Sequence, residues 1–598
     1  MQDTVNLNEY VVSANRLPEP KNNCTRQIIS TNRQRISYLN QQNTADLLFQ
    51  TGNVFVQKSQ QGGGSPMLRG FAANAVLIVV DGVRMNNAIF RSGNLQNVIL
   101  IDVNALKSAE VVLGAGSVIY GSDALGGVMH FRTKSPEFSE NGKPLFFGDV
   151  LLRYATANQE QTKHVDFNLG LKKWAFYTSL THSDFSDLRA GNRRSSDYPD
   201  WGKRLWYVER IDGKDVQVTN EKPAIQKFSG YNQWNVMQKV SFKATEYLSF
   251  HYALHYTTSS NIPRYDNLQQ LRNNKPRFAE WYYGPQKWTM HHFSVEHQQK
   301  NFLYDRARIT LSYQLVEESR HERRFQQNTR TSQIENVNLT TLNVDVEKIL
   351  EKHNITLYYG IEAAHNDVKS TAHSRNILTQ EVKDAATRYP NNSRMTTAAL
   401  YSMAQQKLSE KFWLFAGIRY NYYHLYSPFV DKRFFNFPFD EADLKGNSLN
   451  GNLGATLFLG KQWQLHGLFS SGFRAPNVDD TGKIFDGSAS GVIVVPNVNL
   501  QPEKAYNTEV TLSKAFQDKV QFSITAYYTH LQDAMVTKPF KFNGQDSIVF
   551  NGQKSAVHAV QNVGRAYVAG IQSLLKIVLT PNLFFQTSYN YGIGKDLT

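Results

Sequence analysis

The residue types that do chemistry are present in this chain, but seldom at spacings that would let them act together. His321-Glu322-Arg323-Arg324 begins as a zinc-binding His-Glu-x-x-His helix does, yet the second histidine is missing, and the run reads as a charged, solvated loop. Gly62-Gly63-Gly64-Ser65 has the glycines of a phosphate loop without the Lys-Ser/Thr and helix that should follow, so it reads as a flexible turn. Cys24 is the single cysteine, which excludes an internal disulfide and a thiolate metal cluster. His130 lies between apolar residues and reads as a satisfied interior histidine. With no Gly-x-Ser-x-Gly elbow either, an enzyme is not expected. What remains is recognition chemistry: histidines and tyrosines that can ligate a metal, beside arginines that hold carboxylates. His373 is the foremost candidate because Ser370-Thr-Ala-His-Ser-Arg375 brings Arg375 close to it; His321 and His558, with the basic runs Arg189 to Arg194 and Arg320 to Arg324, are further ones. His365 shares parity with Ile361 and Ala363 and is expected to point outward.

The elements that must position these residues are strands. The chain has 598 residues and a mean hydropathy of −0.46, and no apolar run reaches the roughly 18 residues of a membrane-crossing helix. After residue 145 the composition turns to Tyr, Phe, Thr, Asn and Gln with an apolar residue at every second position, as a closed membrane β-barrel requires. Val520, Phe522, Ile524, Ala526 and Tyr528 fall on one face; Gln521, Ser523, Thr525 and Tyr527 fall on the other. Short connections near Lys172-Lys173, Lys243 to Tyr247, Gln299 to Asn301, Lys348 to Asn354, Leu408 to Lys411, Gly460-Lys461, Gln517-Asp518 and Thr580 to Asn582 alternate with long ones at 185–228, 259–285, 318–335, 366–394, 425–448, 473–502 and 532–558. Short turns belong to the periplasmic side, so the first strand runs outward. About seventeen strands are counted against the 22 of plugged outer-membrane transporters, so the barrel is expected to be C-terminally truncated by about five. The net charge of +14 is scattered through loops and turns rather than gathered in a stripe, which suits anionic lipid headgroups or an anionic ligand and not nucleic acid. Met1-Gln-Asp-Thr is not a signal peptide, so a mature chain with an added Met1 is expected.

Ahead of the barrel, Met67-Leu-Arg-Gly-Phe leads into Ala75-Val-Leu-Ile-Val-Val80 and stops at Asp81-Gly82-Val83-Arg84, a buried strand closed by a turn. Ile101-Asp102, Glu110-Val-Val-Leu, Ser117-Val-Ile-Tyr-Gly-Ser and Leu125-Gly-Gly-Val-Met-His-Phe-Arg-Thr-Lys134 follow. This ordered set resembles the plug domain of TonB-dependent outer-membrane receptors. The resemblance implies an N-terminal extension at 1–20, a mixed α/β plug at 21–136 with helices near Thr44 to Leu48 and Val103 to Leu106, and the barrel from 145 to 598.

The same resemblance assigns roles. Tyr10-Val11-Val12-Ser13-Ala14 stands where the family keeps its TonB box, a segment that adds as a strand to the energy-transducing protein. Arg69 matches the first plug arginine that meets barrel glutamates; Glu503 and Glu509 are the expected acids, pointing inward by parity with Asn507 and Thr511. The second arginine is replaced by Leu113, leaving a neighbour such as Arg84 to serve. Gly472-Phe473-Arg474-Ala475-Pro476 and Val495-Pro496-Asn497-Val498-Asn499-Leu500-Gln501-Pro502-Glu503 look like the paired boxes of haem and haemoprotein receptors, which places Phe473 and Arg474 at the ligand, although no histidine lies between them. Thr387-Arg-Tyr-Pro-Asn-Asn-Ser and Arg91-Ser-Gly-Asn-Leu-Gln-Asn-Val resemble the haemoglobin/transferrin-receptor-like branch. The expectation is energised uptake of haem, or haem from a haemoprotein, with TonB, outer-membrane lipids and a surface lipoprotein or host haemoprotein as partners and no intrinsic cofactor. A ferric siderophore is the alternative ligand, and a surface binding protein or adhesin without energised uptake the alternative function.

Overall fold

The computed structural model describes residues 10–11, 16–17, 19–20, 26–71, 73–91, 97–460, 462–483, 485–487, 491–516, 519–550, 553–580 and 583–598. Val12, Ser13, Ala14, Cys24 and the segment 92–96 lie outside these. The plug is built on a five-stranded sheet in the order Ile28–Asn32, Leu106–Leu113, Gly127–Thr133, Val76–Val80, Val83–Arg84. Val76–Val80 runs parallel to Gly127–Thr133 and has five consecutive buried residues because both of its faces are covered. Asp81 and Gly82 both have positive φ, 50° and 86°, the conformation that an Asp-Gly hairpin turn supplies at least cost. Ile78 and Val80 face the main plug core with Leu47 and Leu48; Leu77 and Val79 face Val112, Val128 and, across the interface, Tyr358, Tyr401 and Met403 of the wall. Helix Thr44–Phe49 starts where expected, capped by the side chain of Asn43. A second helix, Arg33–Leu39, begins at the Asn32 cap; its charged face hid it from the apolar pattern.

The wall is one sheet of 23 members, seventeen of which have 11 residues or more and follow one another antiparallel from Leu145–Ala155 to Leu583–Asp596. Among the described residues no pairing joins those two end strands. Each predicted short connection falls between two paired long strands, and the alternation has the expected sense: Thr525 and Thr529 are buried toward the lumen while Ile524 and Tyr528 are exposed.

Three expectations are corrected. The segments 318–335 and 366–394 are not long loops throughout, because strands Arg306–Arg324, Thr329–Leu350 and Ile355–Asn376 continue as a tall ladder with only 325–328 joining the first two. Backbone pairing and polar side-chain contacts such as Arg320–Glu335 and His321–Ser332 sustain that extension, so no lipid-facing apolar alternation marks it. The connection at 185–228 contains its own hairpin, Trp206–Ile211 with Lys214–Thr219. Finally, Gly62 and Gly64 are not in a flexible loop: they are buried, and a Cβ would meet Ile262 at 2.7 Å and Ala45 at 2.4 Å respectively. Gly62 allows plug and wall to approach closely, and Gly64 does the same for two segments of the plug.

Candidate functional site

Charged groups of the plug meet the wall at several separate places. Arg69, held at φ 48° in the turn before Gly70, puts Nη1 2.7 Å from Glu509 Oε2 and donates Nε to Gln572 Oε1 at 2.8 Å. Its guanidinium lies 4.2 Å over the Tyr527 ring, whose room is made by the absent side chain of Gly570. Arg84 turns to Asp123 at 3.0 Å and to Glu362 at 3.8 Å. Glu362 is shared with Arg419 at 3.4 Å and with Arg16, which reaches it from the N-terminal extension. Leu113, standing for the expected second arginine, is fully buried in the plug core. Among the described residues Glu503 has no plug partner; it accepts from Arg474 Nε at 2.6 Å. Elsewhere Asp81 binds Lys239 at 2.8 Å, and Arg91 binds Glu318 at 2.7 Å. Glu362, Glu318 and Lys239 were missed by sequence reading. Their inward parity was a usable signal, but nothing in the sequence says which plug residue stops opposite them.

The first of the two paired boxes is tied to the plug by single hydrogen bonds while its strand pairs within the wall. Phe473 N donates to Ser117 Oγ at 3.2 Å, Ala475 N to Ser122 Oγ at 3.1 Å and Asn477 Nδ2 to the Phe90 carbonyl at 2.7 Å. Asn477 also caps the short helix Val478–Gly482 through a reciprocal bond with Asp480. Arg474 bridges the boxes, with Asp480 and Glu503 each at 2.6 Å, and is 3% exposed. This corrects the expectation for Phe473 and Arg474: both are buried, and Arg474 braces the loop instead of presenting a free guanidinium. Within the helix, Asp479 accepts from Tyr389 at 2.7 Å and from Lys483 at 2.8 Å. Burial pushes the Asp479 carboxyl up, but Lys483 and Arg388 outweigh it and hold the pKa at about 2.

Above this seam, Phe429, Phe435, Phe437 and Phe542 pack with Ile493, Val495 and Val557, so that three external connections share one small core. The period-two run Phe435-Asn-Phe-Pro-Phe439 was its visible trace.

The predicted iron ligands are placed differently from expectation. His373 stands in a strand rather than mid-loop, directly opposite Ser332, which in turn opposes His321. His321 bonds to Ser332 Oγ at 2.8 Å and stacks 4.7 Å from Tyr282. Both histidines, and Arg375, alternate with the buried residues Arg320 and Ser370, so they face away from the lumen. His558 lies apart, opposite Val494 and Pro539. Tyr10–Val11, the described part of the expected TonB box, pairs with Glu19–Pro20.

An antiparallel wall with lipid-side apolar alternation, occupied by an α/β plug held through buried ion pairs, defines a plugged outer-membrane β-barrel. The chain belongs to the TonB-dependent receptors: the family described as "TonB dependent receptor-like, beta-barrel" matches residues 181–597, and the "TonB-dependent Receptor Plug Domain" matches 20–128. It is 24% identical to "Heme/hemopexin utilization protein C" of Haemophilus influenzae (strain 86-028NP), over 89% of this chain and 73% of that one. Solved structures sharing the fold include the Serratia marcescens hemophore receptor HasR in complex with its hemophore HasA and heme (TM-score 0.73, 14% identity, 96% of this chain and 82% of that one). Another is the ferric yersiniabactin uptake receptor FyuA of Yersinia pestis (TM-score 0.66, 14% identity, 96% and 79%). The protein resides in the outer membrane, and its function is TonB-dependent transport across it.

Proposed function

We propose that the transported ligand is haem, free or drawn from a haemoprotein. The observation that carries this reading is the similarity to "Heme/hemopexin utilization protein C" along nearly the whole chain, plug and barrel together. The lumen above the plug supports it with buried arginines and tyrosines, Arg91, Arg320, Tyr283 and Tyr389, the side chains that suit carboxylates and ferric iron. TonB engages the N-terminal extension at Tyr10 to Ala14, and a host haemoprotein or surface lipoprotein delivers the ligand. No cofactor is retained. A ferric siderophore is the second reading, favoured by the fold shared with the ferric yersiniabactin receptor.

The test is growth of a deletion strain, complemented with this gene, on haemin or on a ferric siderophore as sole iron source, together with a Soret titration of the purified protein with haemin. Growth on haemin with a shifted Soret band is expected. Growth only on the siderophore, with an unshifted band, moves the assignment to the second reading, and binding without growth on either would indicate a surface binding protein.

A further inference from the structure

Where the plug meets the wall strands Glu441–Gly460, Trp463–Arg474 and Glu503–Phe516, three small polar side chains stand in a row: Asn452 is opposite Ser470, and Ser470 is opposite Asn507. Directly opposed residues share one face of a sheet, and all three of these are buried on the lumen side. The plug closes on them with its segment 114–118. A Cβ on Gly114 would lie 3.2 Å from Asn507 Nδ2 and 3.1 Å from Glu509 Oε2, and one on Gly417 of the wall would lie 2.6 Å from Asn452 Oδ1 and 3.0 Å from Val118 Cγ1. Arg26 lies over the same segment, its Nη1 donating to the Ala115 carbonyl.

Arg26, Asn452, Ser470, Asn507 and Glu509 are each more than nine-tenths buried. Among the described residues, Arg26 Nε and Nη2, Asn452 Nδ2 and Oδ1, Ser470 Oγ, Asn507 Nδ2 and Glu509 Oε1 have no hydrogen-bond partner. The remaining atoms of the last two residues are met within the protein, Asn507 Oδ1 accepting from Thr529 Oγ1 at 2.8 Å and Glu509 Oε2 from Arg69 Nη1 at 2.7 Å. Buried groups of this kind are costly to leave unpaired, and a whole seam of them calls for a partner. The mixture fixes the chemistry of that partner. Arg26 and the amide nitrogens donate, whereas Glu509 Oε1 and Asn452 Oδ1 accept, so the partner must do both. A halide or a carboxylate only accepts; water does both, and bridges buried polar groups of opposite sense.

We propose that this seam binds a file of water molecules, running from Arg26 and Glu509 past Asn507 and Ser470 to Asn452, and that water joins the Arg26 guanidinium to Glu509. Glu509 is then held by two plug arginines, Arg69 directly and Arg26 through solvent, although Leu113 supplies none. None of this depends on which ligand is carried. The file also makes the contact between plug and wall uneven. At strands Tyr231–Lys243 and Leu248–Ser259 the plug is bonded directly, the Ile99 carbonyl accepting from Gln233 at 2.8 Å and the Leu100 carbonyl from Asn235 at 3.0 Å and Thr257 at 2.9 Å. Along the seam water carries the contact instead, and can exchange it without leaving a buried group unpaired.

The experiment is brief hydroxyl-radical labelling of full-length protein in detergent and heavy-oxygen water, because bound water is itself converted to the radical and marks the side chains it touches. Two buried methionines report. Met403 is 1% exposed, and its Cγ lies 2.9 Å from the same Gly417 Cβ position that meets Asn452; Met129 is 0% exposed in the plug core. Met403 should take up the label several-fold faster than Met129. Asn452→Leu should slow the labelling of Met403 and lower the urea concentration at which the plug unfolds, since a hydrated side chain is lost with its water. In a dry seam the same substitution would replace an unsatisfied amide by an apolar group and raise that concentration. Labelling of the wild type keeps the test decisive if Asn452→Leu fails to fold. Equal labelling of the two methionines, or a raised unfolding concentration in Asn452→Leu, overturns the water file. Equal labelling together with stabilisation by sodium chloride that disappears in Arg26→Gln also overturns it, and gives the seam to a halide.

Discussion

At the scale of single residues, the plug is held by charges that cannot lose one partner cheaply. Arg69 and Glu509 are each about 1–2% exposed at the side chain, and removing one member of such a pair costs about 3–5 kcal/mol because the other is left buried and uncompensated. Glu509→Ala should therefore lower the urea concentration at which the plug unfolds inside an intact barrel, read by labelling of a plug cysteine, whereas Arg69→Leu with Glu509→Leu should do so less. Equal loss in both variants would show that the ion pair itself, not its desolvation, sets the effect. A second residue carries a pH dependence. His130 accepts from Gly82 N at 3.1 Å and has no hydrogen-bond partner for Nδ1 among the described residues; burial, against the pull of Glu110, pushes its pKa from 6.5 down to about 4. The unfolded plug thus binds the proton first. The contribution, of order 3 kcal/mol, is present above pH 6.5 and is lost as pH falls toward 4. Amide exchange in Gly127–Thr133, corrected for intrinsic rates, should accelerate over that window, and His130→Leu should flatten the response. Arg69 and Glu509 were legible in the sequence, one from its motif and the other from inward parity. Glu362 was equally inward but its cluster was not legible, because Arg16, Arg84 and Arg419 come from three distant parts of the chain.

At the scale of elements, turns were readable and external segments were not. A periplasmic turn interrupts a lipid-facing alternation, and the interruption is visible; above the membrane the strands of 318–335 and 366–376 carry mostly polar residues on both faces, and no hydropathy signal survives. The same limit misplaced His373, whose loop is a strand, and Arg474, whose charge is met by Asp480 and Glu503. The N-terminal extension is read by its backbone, since strand addition uses main-chain donors. Val12→Pro removes one such donor, so haemin binding should persist while growth on haemin fails. Growth at the wild-type rate would place the TonB-binding segment elsewhere in the extension.

At the scale of the whole molecule, barrel, plug and external connections are joined by two kinds of contact, polar at the plug and aromatic above it. Phe437 sits among Phe429, Phe435, Phe439 and Phe542, so Phe437→Ala, at about 3–5 kcal/mol for a buried phenylalanine, should expose the connections 429–440 and 540–552 to protease together. Cleavage of one alone would show that they do not share a core. The position of Ile28–Asn32 has a mechanical consequence. This five-residue strand is the edge of the five-stranded plug sheet, paired on one side only among the described residues, and it is the first strand of that sheet that tension entering at the N-terminus reaches, after the pair Tyr10–Val11 with Glu19–Pro20 and after Arg16 and Arg26. A ladder loaded from one end parts pair by pair, beginning at Ile28 and Val112, whereas the central strands are gripped from both sides. Pulling would therefore peel the plug from its rim at low force and leave Val76–Val80 folded, opening a passage without emptying the barrel.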